Sequence, residues 1–291
     1  MALKQRTYRT QPMQHLKPFR HEQDFGFVKA VYGRKPPTQV FLEPCVSSPH
    51  SIDIAFIENQ ETLVRMPNGP TYARKIHAGT GGMHGSEPLE FVSIKGSSEF
   101  LELLPSQEVR TTAANYFKAP SVADFDELQN VKDQVLWMVA SRFRAHAIGQ
   151  WPLSELEAEE LIRLLTGHLI CTQLGGSLPR INDSRLSAHT LAEIRDYIEA
   201  EIKSPIPVKA LAQVANRSPY HFMRTFTLTT GMKPHDFVRA VRMERAKEAL
   251  LSGKSVKEVA IAVGYAPGHS FRTAFRQYFG VSPSKFSSTV C

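Results

Sequence analysis

The sequence predicts an α+β protein: a β-rich amino-terminal domain with two following helices, then an all-α carboxy-terminal domain built as a tandem helix-turn-helix. Three observations carry this. Short runs rich in Val, Ile, Phe and Tyr succeed one another between residues 25 and 94. Two amphipathic segments follow them. The last hundred residues then contain one unit written twice: Phe222 and Phe271, Phe226 and Phe275, Gly231 and Gly280, Pro234 and Pro283, and Phe237 and Phe286 all lie 49 residues apart. Such an offset marks a duplicated supersecondary unit.

The chain has 291 residues, and at roughly 150 residues per domain that length suggests two domains. Met1 to Arg20 is a polar arm carrying Lys4, Arg6, Arg9, Lys17 and Arg20; it lacks the apolar stretch of a secretory signal. The β-domain is placed over residues 21–118. Strands are expected at Phe25–Tyr32, Gln39–Leu42, Ser51–Ile57, Thr62–Met66, Tyr72–His77 and Leu89–Ile94, set between Pro, Gly and Asn. Ile52, Ile54 and Phe56 point one way and Asp53 and Ala55 the other. Strands this short and this frequent suggest a sandwich or barrel.

Residues 119–174 read as helical. Phe125, Leu128, Val131, Val135 and Met138 line one face of Asp124–Ala147. Ser154 and Glu157 cap a helix from about Leu156 to Leu174, in which Leu161, Leu165 and Leu169 stack four apart. Residues 175–187 are punctuated by Gly and Pro and read as a linker. The tandem domain is placed over residues 188–288.

Each copy of the repeat reads helix, turn, helix. Val208–Ala215 and Val256–Val263 form the first helices. Ser218 caps the second helix of copy one, with Pro219 at its first position, and Gly231 ends it. Ser255 and Glu258 form a capping box, Gly264 takes the tight turn, and a helix from about Pro267 to Phe279 ends at Gly280. A helix over about Pro234–Leu251 joins the copies. Two short helices around a tight turn fit a DNA-reading module or a plain helical bundle. Charge separates the two. Residues 188–291 hold 15 Lys+Arg against 8 Asp+Glu, so the whole formal excess of +7 sits there. That asymmetry is the footprint of a polyanion partner, and together with the repeat it favours DNA over a plain bundle.

These residues resemble the AraC/XylS family of bacterial transcription regulators. The resemblance rests on Arg242-Met-Glu-Arg-Ala-Lys-Glu-Ala-Leu-Leu, Ser255-Val-Lys-Glu-Val-Ala, Val263-Gly-Tyr, and Phe271-Arg-Thr-Ala-Phe-Arg-Gln-Tyr-Phe-Gly-Val-Ser-Pro-Ser-Lys-Phe. It implies that one chain carries two recognition helices for successive major grooves of double-stranded DNA. The first would present Tyr220, Met223 and Arg224 outward, with Arg224 the best suited to grip guanine. The second would present Gly268, His269, Ser270, Arg272 and Thr273. Lys209, Arg217, Lys233, Lys257, Arg276 and Lys285 are candidate phosphate clamps, or else solvated surface charges. The resemblance also implies a cupin-like β-domain binding a small-molecule effector, dimerisation through Leu161, Leu165 and Leu169, contact with RNA polymerase, and activation rather than repression. Open alternatives are an amino-terminal domain that senses a protein partner or nothing, one that retains cupin-type metalloenzyme activity, and a carboxy-terminal domain that binds DNA with little specificity.

Other chemistries find little support. His15, His21, His50, His77 and His84 are scattered with no His-x-His, so no metal site, no cofactor and no enzyme activity are expected. Gly79–Gly85 imitates a phosphate loop, but His84 stands at its last glycine position, and the stretch reads as a hairpin connection. Gly253-Lys254-Ser255 reads as the turn before a helix. Cys45, Cys171 and Cys291 fit a reducing cytoplasm rather than a disulfide scaffold. No apolar run approaches the ~20 residues of a membrane span.

Overall fold

Alternation of side chains shapes the first half of the molecule and helical periodicity the second. The computed structural model describes residues 19–35, 45–65, 69–87, 89–120, 125, 128–177 and 185–290. The strands are β1 (Phe19–Asp24), β2 (Val28–Lys35), β3 (Cys45–Val46), β4 (Ile52–Ala55), β5 (Asn59–Arg65), β6 (Thr71–Ile76), β7 (Gly81–Met83), β8 (Glu90–Lys95), β9 (Ser98–Pro105) and β10 (Leu128–Val131). The helices are α1 (Gln107–Tyr116), α2 (Gln134–Ala147), α3 (Glu155–Gln173), α4 (Ala188–Ala200), α5 (Val208–Val214), α6 (Pro219–Thr230), α7 (Pro234–Leu251), α8 (Val256–Ala262), α9 (His269–Phe279) and α10 (Pro283–Val290). Residues 1–18 of the basic arm and the expected strand Gln39–Leu42 lie outside the described residues.

The chain divides into two units. One takes in the described parts of Met1–Asp24, Lys29–Leu104 and Asp124–Ala147; the other takes in Phe25–Val28, Pro105–Ala123 and Ile148–Cys291. Thus α2 belongs to the first unit, and α1 and α3 to the second.

The first unit holds a six-stranded sheet, β1-β2-β9-β4-β7-β10, and a four-stranded sheet, β3-β8-β5-β6. Ile52 and Ile54 face Leu103 and Leu101 across the antiparallel β4–β9 ladder, and all four are buried. The helix α2 lies close on β7: a Cβ added at Gly81 would come 2.5 Å from Leu136 Cδ2. It is also held by charge. Arg144 Nε donates to Glu99 at 2.5 Å, and the Tyr32 hydroxyl donates to the same carboxylate at 2.7 Å.

Two expectations are corrected here. The helix expected over Asp124–Ala147 begins only at Gln134, because the Asp133 carboxylate accepts the Val135 and Leu136 amides at 2.8 and 2.9 Å and starts it there. Upstream, Leu128 and Val131 pair with Met83 and Gly81 as a strand, and Asn130 turns through φ +55°. Within Gly79–Gly85, expected as a connection alone, Gly81–Met83 is a strand between β4 and β10. The structure also adds β1, β3, β9, α1, α4 and α10 to the elements expected from the sequence.

In the second unit the expected boundaries of α3 and α5 to α9 hold to within two residues. Ser154, Ser218 and Ser255 each accept an amide from the first turn of their helix, and the Ser255–Glu258 capping box is present. The helix α7 spans two cores: Val238 and Val241 pack with α4, α5 and α6, while Met243, Ala246 and Leu250 pack with α8 and α9. Like α9 at Gly268, α5 at Pro207 and α7 at Lys233 begin without a side-chain cap of their own, and for α5 and α7 the partner lies on another helix. Carboxylates of α3 supply what is missing. Glu159 Oε2 accepts the Val208 amide at 2.7 Å, and Glu160 Oε1 accepts the His235 amide at 2.7 Å. Glu159 also takes the Nε of fully buried Arg163 at 2.9 Å.

Glu159→Ala should therefore destabilise the helical unit by about 3–5 kcal/mol, since it removes the buried partner of Arg163, leaving only half-exposed Glu108 at 3.6 Å, and uncaps a helix amide. Urea denaturation followed by helical circular dichroism measures this; a loss under about 0.5 kcal/mol, the scale of an ordinary surface change, would contradict it. A second expectation concerns pH. His84 Nε2 lies 3.2 Å from Asp53 Oδ1. Burial pulls the imidazole pKa down, but the Asp53 carboxylate overrides it and raises it, with Arg74 and Glu102 also facing the ring. Burial pushes Asp53 up, and His84 overrides it downward. The pair stabilises the fold fully between the ordinary values of 3.8 and 6.5, and that stability is lost as pH rises through the raised His84 value or falls through the lowered Asp53 value. The stability gap between the native chain and His84→Asn should shrink from about pH 5.5 to about pH 8.5; a gap constant with pH would exclude the ion pair.

Candidate nucleic-acid interface

Each helix-turn-helix depends on one residue in left-handed conformation. In the first it is Asn216 at φ +50°; in the second it is Gly264 at φ +77°, 48 residues downstream. Asn tolerates this region better than other side chains, and Gly adopts it freely. At Gly264 space is also decisive, since a Cβ would meet the Ile202 carbonyl oxygen at 2.6 Å.

With about 100° per residue along a helix, burying Phe222 and Phe226 directs Tyr220, Arg224 and Thr227 of α6 the opposite way. The same argument directs His269, Arg272, Thr273 and Arg276 of α9 away from buried Phe271 and Phe275. Arg224, Gly268, His269, Arg272 and Arg276 are exposed, as are Lys209, Lys233, Lys257 and Lys285. Met223, Arg217, Ser270 and Thr273 are half-buried. Ser270 and Thr273 line a cavity with Trp151, Leu156, Arg239 and Tyr265, and the Thr273 hydroxyl lies 3.2 Å from His269 Nε2.

Tyr220 is the correction. It was expected to face outward with Arg224, but it is 5 % exposed. Its ring stacks on Tyr116 at 5.4 Å and meets Phe117 edge-on at 5.4 Å, both at the end of α1. The Arg163 guanidinium of α3 stands 5.9 Å from its centre. Ala113, Ala114 and Ile170 complete this apolar cluster, and Met223 packs against it. Burial pushes the phenol far above its ordinary pKa. Among the described residues, the Tyr220 hydroxyl, the Thr166 hydroxyl and Arg163 Nη1 are buried with no hydrogen-bond partner. Each such group costs about 1–3 kcal/mol.

The expected dimer contacts are corrected on similar grounds. Leu161, Leu165 and Leu169 are 8, 0 and 0 % exposed within the single chain. They are core residues, with almost no surface left for a second copy. Conversely, Gln213, Asn216, Ser218 and His221 line an open concavity beside Arg217 at the first turn. Sequence reading overlooked them because these polar positions lie outside the repeat's matching residues. His221 could have been found from its place on α6 relative to Phe222. Among the described residues, no group of three His, Cys, Asp or Glu could hold a metal ion, and no helix is long and apolar enough to cross a membrane.

A family described as a helix-turn-helix domain matches residues 211–289. The chain is 32 % identical over 94 residues to the bifunctional transcriptional activator/DNA repair enzyme AdaA of Bacillus subtilis, covering 32 % of this chain and 44 % of that protein. It is 34 % identical over 117 residues to the HTH-type transcriptional regulator MtrA of Neisseria gonorrhoeae, covering 39 % of this chain and 36 % of that protein. The chain thus spans less than half the length of these curated relatives. Among solved structures, the C-terminal domain of AraT, a response regulator from Geobacillus stearothermophilus, is 33 % identical, with 36 % of this chain and 88 % of that one covered and a TM-score of 0.33. Residues 211–289, which carry the duplicated Phe-x-x-x-Phe helices, are thus a helix-turn-helix domain of the AraC type.

Proposed function

We propose that this protein is a sequence-specific transcription regulator whose two helix-turn-helix modules read successive major grooves on one face of DNA. The observation that carries this is the single helix α7, which contributes side chains to both module cores. Its 18 residues extend about 27 Å at 1.5 Å per residue. That length suits recognition helices set about one duplex turn, ~34 Å, apart. Arg224 on α6 and Arg272 on α9 are the exposed guanidinium groups suited to guanine, and Lys257, Arg276 and Lys285 are placed to meet phosphate.

The first unit is the proposed sensor of a small-molecule effector. Buried polar atoms support this: Ser51 Oγ, Asn59 Oδ1 and Thr62 Oγ1 lack a hydrogen-bond partner among the described residues. Such groups call for a partner, a water or a ligand, that the described residues do not supply. The effector shifts the population toward the DNA-binding arrangement, and the bound protein activates through contact with RNA polymerase. A homodimer, where it forms, uses surfaces other than the leucine row of α3. No enzymatic role is proposed: Cys171 is half-buried, and burial raises its thiol pKa, the reverse of what a nucleophile needs.

Crosslinking the native protein to its genome and sequencing the bound DNA should return sharp sites with paired half-motifs. Arg224→Ala should weaken binding to such a site by about 1–3 kcal/mol and relax base preference in one half-motif only. Occupancy spread evenly over the genome, or unchanged affinity for the variant, would refute the reading.

A further inference from the structure

One residue on the outward face of the first recognition helix, Tyr220, is covered, while Arg224 and Thr227 beside it are exposed. Tyr220 projects opposite Phe222 and Phe226, yet it is buried against Tyr116 and Phe117 of α1 and beneath Arg163 of α3. The major groove is about 12 Å wide and a helix with side chains measures roughly 10–12 Å across. The groove therefore leaves no room for the end of α1 packed on Tyr220. We propose that α1 is an autoinhibitory latch, which masks the recognition helix α6 and must leave before the first helix-turn-helix can bind DNA.

Electrostatics support the same conclusion. Lys209, placed to clamp phosphate, instead has its Nζ 3.8 Å from Glu108 of α1. The other oxygen of that carboxyl lies 3.6 Å from Arg163. Glu108 of α1 thus engages a lysine that a phosphate would otherwise meet. The closure is also incomplete. The buried Tyr220 and Thr166 hydroxyls make no hydrogen bond among the described residues, and opening returns both to water. A contact with such internal cost is reversible, as a switch requires. The anchor that stays is α3, whose Glu159 and Glu160 cap α5 and α7. The part that leaves is α1 with Phe117. It follows β9 directly along the chain, Ser106 being its cap, so a change in the first unit reaches it through the backbone.

Gly167 offers the test. A Cβ there would lie 2.4 Å from Phe117 Cε2 and 3.2 Å from Tyr220 Cε1. Gly167→Ala therefore wedges Phe117 off α6, while Ala favours the helix that carries it. The probe is a duplex recovered from a random-sequence pool by the full-length native chain, with affinities measured at one fixed salt concentration. Gly167→Ala should bind it more tightly, on the order of tenfold, because a masked fraction is released. Phe117→Ala should do the same and serves if the first variant does not fold. Amide exchange in α1 should quicken when the native chain binds the duplex. Unchanged or weaker binding by both variants, or α1 amides as slow in the complex as in the free protein, overturns the latch. The proposal rests on α6 reading DNA. If Arg224→Ala binds as tightly as the native chain, that reading fails and the latch with it; if Arg224→Ala weakens binding while the α1 variants do nothing, only the latch fails.

Discussion

Two neighbouring carboxylates on α3 fix the geometry of the helical unit. Pro207 and Lys233 leave α5 and α7 without side-chain caps, so their first amides would be unsatisfied in a buried setting. Glu159 and Glu160 satisfy one amide in each helix. Because α5 opens the first helix-turn-helix and α7 leads to the second, the same two residues hold both ends of the first module against α3. Glu159 is itself neutralised by Arg163, and Glu160 lies 2.7 Å from the His235 imidazole. These are buried charges of the kind tolerated only when paired and hydrogen-bonded. They give the placement of α6 relative to α1 and α3 one defined answer.

From that placement follows the contrast between the two recognition helices. On α9, His269, Arg272 and Arg276 stand in solvent. On α6, Arg224 is exposed while Tyr220, about one turn earlier on the same outward face, is buried. The modules are duplicates in sequence and differ in what covers them. Their cores are equivalent, each built on a Phe pair four residues apart, packed against its own half of α7.

The tandem unit was legible because its determinants are local and repeated. Caps at Ser218 and Ser255, left-handed stops at Gly231 and Gly280, and the 49-residue offset act within a few residues of where they are read. The strands were legible where they alternate, as in Ile52–Ala55. They were not where apolar spacing imitates a helix: Leu128 and Val131, three apart, fit a helical face, and only the Asp133 cap shows that the helix begins later. The strand β9, the helix α1 and the burial of Tyr220 depend on partners distant in sequence. Tyr116 lies 104 positions before Tyr220, and nothing within the repeat announces the contact. The leucine row of α3 was read correctly as an apolar face; whether it meets the same chain or another is a tertiary fact that periodicity does not contain.

The central claim is that one chain sets two reading heads into adjacent grooves. Hydroxyl-radical footprinting of the full-length chain on a selected duplex tests it most directly. Two protected patches should appear on one face of the helix, their centres about 10 base pairs apart. A single patch, or uniform protection along the duplex, would contradict the account.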